Sequence, residues 1–265
     1  MRARATRGLL FLLVGLLSSA CGGTTGEGLV DFKAAAAGSR DAESGQPLEF
    51  FNDRGWDIVL TKATLHVGAI YLDQSRPVSG VQATSCILPG TYVAEVTEGR
   101  DVDLLSPALQ RFPALGHGTT LDALVGQVWL THGDVNQITD TDPGPILDLD
   151  GTATLKDDVR EFRGKITIGS NRQDAGGLAG ASPICKERIV SPIFTRVALE
   201  RTGGLLLRID ASQLFINVDF SALPKLGNGY AFSDSRSSSD QPSVNLYSNL
   251  RSGGSLYTFS WEPIL

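Results

Sequence analysis

Apolar and polar residues alternate with a period of two along most of the chain. Each alternating segment places apolar side chains on one face and polar or small ones on the other, which is typical of a half-buried strand and does not fit a helix. The clearest segments are residues 30–36, 63–71, 162–168, 214–220 and 257–261. We therefore predict a strand in each of them.

Turn signals separate several apolar segments from one another. Asp150-Gly151 and Gly203-Gly204 each stand between two short apolar runs. Asp-Gly and Gly-Gly supply the positive φ angles that two-residue hairpin turns need. Both pairs therefore predict hairpins, and the chain offers one short helical segment, residues 242–251, which two glycines follow closely.

These patterns favour an all-β protein. We predict an antiparallel β-sandwich or partly closed barrel over residues 28–265, with at most one or two short helices. Two stacked sandwiches are the alternative assembly. An outer-membrane barrel is disfavoured, because charged residues and turns interrupt the apolar bands that lipid-facing strands require.

The first 20 residues are organised as an export signal. Arg2, Arg4 and Arg7 precede the apolar run 8–17, which is too short to span a bilayer, and small residues lead from that run to Cys21. The segment resembles a bacterial lipoprotein signal peptide. An ordinary secretory signal cut at another position is the alternative.

The resemblance implies a lipid-anchored protein of the cell envelope. Residues 1–20 would be removed, Cys21 would carry the acyl chains, palmitate among them, and residues 21–27 would be the tether. Gly22 follows the cysteine where an aspartate would favour inner-membrane retention, which implies the outer membrane. The membrane is then a partner only through lipid, at about 0.8 kcal/mol for each buried CH₂.

Charge excludes one class of partner. The 265-residue chain has 23 Lys and Arg against 29 Asp and Glu, and removal of the three signal arginines leaves a net charge of −9. Such a balance opposes binding to phosphate backbones. We expect no nucleic acid, and an unknown envelope protein or glycan as the partner.

The remaining cysteines agree with export. With Cys21 lipidated, Cys86 and Cys185 form an even pair in a compartment where a disulfide persists. Cys86 follows a loop rich in Pro, Ser and Gly, residues 76–85, and Cys185 follows another loop, residues 176–183. We predict a disulfide bond between them. Two unrelated buried thiols, or a metal-binding pair, are the alternatives.

Catalytic motifs are absent from the sequence. It holds no Gly-x-Ser-x-Gly elbow, His-Glu-x-x-His pair, phosphate loop or dinucleotide fingerprint, so a binding protein is favoured over an enzyme. A hydrolase without a standard motif stays an alternative. The histidine of such a hydrolase would be His117, which we predict on a mobile Gly-His-Gly loop. On that loop His117 could act as a base or bind a metal ion.

A copper site is suggested by a resemblance. The alternating residues 30–72 after an export signal are similar to the opening of periplasmic copper proteins associated with methanobactin uptake, in which histidines and an oxidised tryptophan bind copper. The resemblance implies His66, His132 and Trp129 as the matching residues, and imidazole suits copper. A strand through this region would place Trp129 and His132 on opposite faces, so a shared site would need a bulge.

A second candidate metal is calcium. Residues 134–158 are rich in aspartate, and carboxylate oxygens suit this hard cation. No EF-hand register fits, which leaves an irregular loop with Asp134, Asn136, Asp140 and Asp142 as ligands. A solvated, turn-rich loop is the alternative.

The sequence thus predicts an envelope lipoprotein with a β-rich binding or scaffolding domain of unknown ligand. No cofactor is expected from its motifs. Periplasmic binding of copper or calcium, and a hydrolase of unrecognised motif, are the alternatives.

Overall fold

A computed structural model describes residues 28–75, 91–133, 144–167, 189–234, 239–252 and 255–264. The predicted signal peptide and tether, Cys21, Cys86 and Cys185, and the four predicted calcium ligands Asp134, Asn136, Asp140 and Asp142 lie outside these ranges. They stay predictions.

The described residues form mostly strands. In chain order these are β1 (Leu29–Ala37), β2 (Leu48–Phe51), β3 (Asp57–Val67), β4 (Ala69–Asp73), β5 (Tyr92–Val96), β6 (Arg100–Asp103), β7 (Gln110–Arg111), β8 (Gly116–Thr119), β9 (Asp122–Leu130), β10 (Pro145–Leu155), β11 (Asp158–Thr167), β12 (Ile189–Ala198), β13 (Gly204–Ile209), β14 (Lys225–Leu226), β15 (Gly229–Phe232) and β16 (Tyr257–Glu262). Two 3-10 helices, Ala211–Phe215 and Phe220–Ala222, and one α-helix, α1 (Gln241–Ser252), complete them.

The strands form two sheets. The larger has the order β12-β9-β4-β5-β8-β1-β13-β16, with β7 also paired to β1, and its two ends approach each other so that it is nearly a closed barrel. The smaller has the order β14-β15-β11-β10-β3-β2, with β6 also paired to β3. The chain passes from the smaller sheet to the larger at Gly68, between β3 and β4. The predicted all-β sandwich or partial barrel is confirmed.

Alternation accounts for the core. In β1, Val30, Phe32 and Ala34 are buried while the residues between them are exposed. One continuous apolar cluster fills the space between the sheets and extends under the 3-10 helices, where Phe162, Phe215, Phe220, Phe232 and Trp56 pack ring against ring. Burial of these faces is the main driving force for the fold.

Two strand pairs are parallel. β1 pairs with β13 in parallel from Lys33–Gly204 to Ala37–Arg208, and β11 pairs with β15 in parallel. The other described pairs are antiparallel. The parallel pairs need long connections, which period-two patterning along one segment does not reveal.

Both hairpin predictions are wrong. Asp150-Gly151 lies inside β10, where the pairing with β3 shifts by a bulge, and the turn comes later, at Lys156, which has a φ of 55°. Gly203-Gly204 separates β12 from β13, but β12 pairs with β9, and β13 pairs with β1 and β16. Glycine permits a tight turn but also occurs inside strands, often near a bulge, so its presence alone does not define a hairpin.

The segment 214–220 is not a strand. It lies in and between the two 3-10 helices, which begin after Asp210 and Asp219. Each of these aspartates accepts a hydrogen bond from the backbone N–H two residues later, at Ser212 and Ser221. Capping aspartates therefore override the period-two pattern. The helical prediction for residues 242–251 is confirmed by α1.

Candidate metal site

His66 lies near the end of β3, on the face that the core does not use. Its neighbours Leu65 and Val67 are fully buried in the core, so the alternation of the strand points His66 away from it, as its sequence parity predicts. Asp101 stands opposite His66 on the neighbouring strand β6. The ring nitrogen Nδ1 of His66 is 2.7 Å from Oδ1 of Asp101.

His132 follows the end of β9. Gly68 donates its N–H to the carbonyl of Trp129 at 2.8 Å, which ties the end of β9 to the β3–β4 junction. A Cβ at Gly68 would lie 2.0 Å from the carbonyl oxygen of Thr131, so only glycine allows this approach. The close approach brings His132 over His66.

The two imidazole rings are stacked. Their centroids are 4.0 Å apart and their planes meet at 22°. The side chain of His66 is 14% exposed, whereas that of Asp101 is 70% exposed, so the pair lies just below the surface with the carboxylate at its rim.

The Nε2 atom of His132 is buried and has no hydrogen-bond partner. A buried polar nitrogen without a partner costs about 1–3 kcal/mol, so it needs an explanation. A ligand that accepts its lone pair, such as a metal ion, would satisfy it. The unpartnered nitrogen is suited to a metal ion, but the two stacked rings direct their in-plane lone pairs along nearly parallel lines, so joint binding of one ion requires one ring to turn.

Burial lowers the pKa of His66 from its ordinary value. Desolvation is the largest cause, the hydrogen bond to Asp101 opposes it, and the charge of His132 lowers the pKa further. The backbone carbonyl of Thr131 and the charge of Asp101 act in the opposite direction to burial. At neutral pH His66 is therefore a neutral ring, which is the form that binds metals.

Asp101 was not predicted from the sequence. It lies in Arg100–Asp103, a strand of four residues whose alternation is too short to recognise. In a neutral His66, the contact with Asp101 favours the proton on Nδ1 and leaves the lone pair on Nε2. A carboxylate that fixes the tautomer of a ligand histidine in this way recurs in metal sites.

The third histidine lies elsewhere. His117 is in β8, in the larger sheet, and not in the predicted loop. Its Nδ1 is 2.8 Å from Oδ1 of Asp31 on β1, and both side chains are well exposed, at 63% and 67%. The structure therefore brings His66 and His132 together and leaves His117 in a separate surface pair.

Trp129 belongs to a hydrogen-bonded chain on the outer face of the larger sheet. Its ring packs on Tyr71 with centroids 4.8 Å apart, and its Nε1 donates to Oε1 of Gln127 at 3.0 Å. Gln127 in turn donates from Nε2 to Oδ2 of Asp73 at 2.6 Å. His132 lies beyond the end of β9, so the opposite-face argument from strand parity does not apply to it.

The described residues hold no group of three or more His, Cys, Asp or Glu side chains arranged to bind one metal ion. No described helix has the length and apolar composition of a membrane span. The protein side chains present at the stacked pair are thus two imidazoles with one carboxylate behind them.

Comparison with known proteins gives one structural likeness. No protein-family model and no curated protein matches the chain. The fold is similar to that of MbnP from Methylosinus trichosporium. The match covers 89% of this chain and 99% of MbnP, at 12% sequence identity and a TM-score of 0.44. The likeness to MbnP concerns the course of the backbone and assigns no activity.

Proposed function

We propose that this protein binds a copper ion through His66 and His132. The observation that carries the proposal is the stacked imidazole pair, in which Nε2 of His132 is buried without a partner. A buried nitrogen without a partner destabilises an empty site. A metal ion that takes up the nitrogen lone pairs removes that cost.

Copper is the metal that this donor set favours. Imidazole nitrogens suit copper, zinc and nickel, and among divalent ions copper binds such ligands most strongly. Calcium and magnesium prefer oxygen ligands, and the pair offers nitrogen. With two protein nitrogens, other coordination positions stay open to water or to a transfer partner, which fits a protein that acquires and hands on its metal.

Asp101 is the positioning residue in this proposal. Its contact with Nδ1 of His66 orients the ring and raises the basicity of the other nitrogen. Because Asp101 is mostly exposed, its replacement should leave the fold intact. We expect Asp101→Asn to weaken copper binding about tenfold or more, as loss of such a partner does elsewhere.

Metal titration of the full chain tests the proposal. We expect one copper ion per chain by elemental analysis, with nitrogen ligands visible in the electron paramagnetic resonance spectrum of the Cu(II) form. His66→Phe and His132→Phe should each abolish stoichiometric binding. His117→Phe is the matched control, since His117 also pairs with an aspartate but lies outside the stacked pair.

Two results would contradict the proposal. Copper that binds equally well to His132→Phe would exclude the stacked pair as the site. Loss of copper in His117→Phe alone would move the site to β8. Circular dichroism of each variant confirms that a loss of binding does not come from unfolding.

The cellular setting is a further part of the proposal. The N-terminal segment that resembles a lipoprotein signal peptide supports anchoring at Cys21 on the outer membrane, with the β-domain outside the cytoplasm. Copper handling in that compartment suits a chain whose ligands are histidines, because these need no reducing environment.

A further inference from the structure

A pocket of about 260 Å³ opens where β1, β13 and β16 meet. Strands β1 and β13 run parallel, so their carboxyl ends lie side by side, and the start of β16 closes the third side. None of the residues that line the pocket belongs to the histidine pair. Its lining includes two arginines, Arg40 and Arg208.

The guanidinium of Arg208 is only partly satisfied. Its Nη1 donates to the carbonyl of Gly38 at 3.1 Å. Its Nε is buried and has no hydrogen-bond partner. The guanidinium of an arginine keeps its charge under all ordinary conditions, so this N–H needs an acceptor that the described residues do not provide.

Arg40 adds a second positive charge beside the first. Burial lowers the pKa of Arg208, the charge of Arg40 lowers it further, and Glu262 opposes both. Within the described residues neither arginine has a carboxylate within ion-pair distance. The two neighbouring guanidinium groups repel each other, and Glu262 offsets this repulsion only in part, without forming an ion pair.

The two carboxylates of the pocket balance the formal charge of the arginines but form no ion pair with them. Asp210 lines the pocket, but its oxygens accept hydrogen bonds from Ser39, Ser212 and Gln213. Asp41 is exposed at the rim. What stays unmet in the pocket is therefore the hydrogen bond of Nε of Arg208, because neither aspartate pairs with that guanidinium.

We propose that this pocket binds a small oxyanion, a phosphate or carboxylate group, between Arg208 and Arg40. An oxygen of the anion accepts the hydrogen bond from Nε of Arg208, and the second guanidinium neutralises the remaining charge. Thr258 stands directly opposite Arg208 in the β13–β16 register, so its hydroxyl can donate to the same group. Planar guanidinium groups suit both phosphate and carboxylate, which they can bind with two parallel hydrogen bonds.

The volume limits the ligand. A pocket of about 260 Å³ holds a small molecule or the charged end of a larger one, and is at the lower end of ligand sites. Nucleic acid is not the expected ligand, since the site has two cations and no extended basic surface. The site thus fits a free anion or an anionic group on a small metabolite.

Anion titration of the metal-free full chain at constant ionic strength and pH 7 tests the proposal. Inorganic phosphate and succinate are the two probes, and calorimetry and the melting temperature are the readouts. We expect saturable binding of at least one probe and a rise in melting temperature with its concentration. The probe that binds more tightly identifies the group as phosphate or carboxylate.

Variants locate the site. Arg208→Lys keeps the charge and removes the planar fork, and should raise the dissociation constant about tenfold or more. Arg40→Gln changes an exposed side chain, so it should weaken binding without affecting folding. Arg196→Gln, an exposed arginine on β12, is the matched control and should bind as the parent does.

Three results would overturn the proposal. The first is absence of saturable binding of either probe by the folded parent. The second is equal binding by the parent and by both Arg208→Lys and Arg40→Gln. The third is an equal loss in Arg196→Gln, which would show that the anion responds to net charge and not to the pocket.

Discussion

Asp73 is a buried carboxylate that the metal site does not use. It is fully buried on the face of the larger sheet that points away from the main core. There Gln127 donates to Oδ2, and Oδ1 has no partner. Burial raises the pKa of Asp73, and the hydrogen bond from Gln127 only partly opposes this. The folded protein therefore holds a proton on this group more tightly than the unfolded chain does.

This shift has a definite sign for stability. Because the folded-state pKa of Asp73 exceeds its ordinary value of 3.8, the free energy of unfolding decreases as pH rises from about that value through the folded-state pKa. Asp73→Asn removes this dependence. We expect the variant to be more stable than the parent at pH 7, and the advantage to disappear near pH 3.8.

Urea unfolding across pH 3.5–7.5 measures the effect. Asp122→Asn serves as control, since Asp122 is exposed and its replacement changes the net charge equally. An advantage for Asp73→Asn that is constant with pH would show that the gain comes from packing and not from titration.

Of the two stacked histidines, the sequence predicts the position of one and not of the other. The face of His66 follows from its alternation with Leu65 and Val67. The position of His132 does not follow from any strand, because it depends on the approach of Thr131 to Gly68, which are 63 positions apart. Contacts between the ends of distant strands are set by tertiary packing, and no local pattern encodes them.

One glycine of β9 lets the last strand, β16, pack closely against β9. A Cβ at Gly126 of β9 would lie 2.1 Å from the ring of Phe259 on β16. In the sheet order β9 is next to one end and β16 is the other end, so this contact lies across the nearly closed sheet. The space left by the glycine is filled by the aromatic ring.

Gly126→Ala should therefore destabilise the fold by about 1–3 kcal/mol, since it inserts a methyl group into occupied space. Phe259→Leu opens that space, so the same substitution should cost less in its presence. Chemical denaturation of the parent, both single variants and the double variant measures this coupling. Additive effects would show that the glycine and the ring act independently.

Strand alternation identified several of the strands, and its failures have physical causes. The strand β1 and the helix α1 were predicted with nearly the right limits, since burial and helix-forming residues act locally. The pattern failed at residues 214–220, where capping aspartates produce 3-10 helices. It also failed at Asp150-Gly151, where β10 continues as a strand and the extra residue of the bulge, Thr61, lies opposite on β3.

The predicted lipid anchor at Cys21 would hold the whole domain at the membrane. Cys21→Ala should abolish incorporation of labelled palmitate and move the protein from the membrane fraction to the soluble one. Cys86→Ala is the matched control and should keep both the label and the fractionation. Labelling that persists in Cys21→Ala would contradict lipidation at this residue.

The parallel pairing of β1 with β13 bears on how the protein is made. Gly38 and Arg208, which are bonded at the ends of these strands, lie 170 positions apart. At ribosomal speeds of about 5–20 residues per second, roughly ten to thirty seconds pass before the nascent first strand can meet this neighbour. During that delay it exposes an edge on which other chains can aggregate, so a truncated product that stops before β13 should be insoluble and dependent on chaperones.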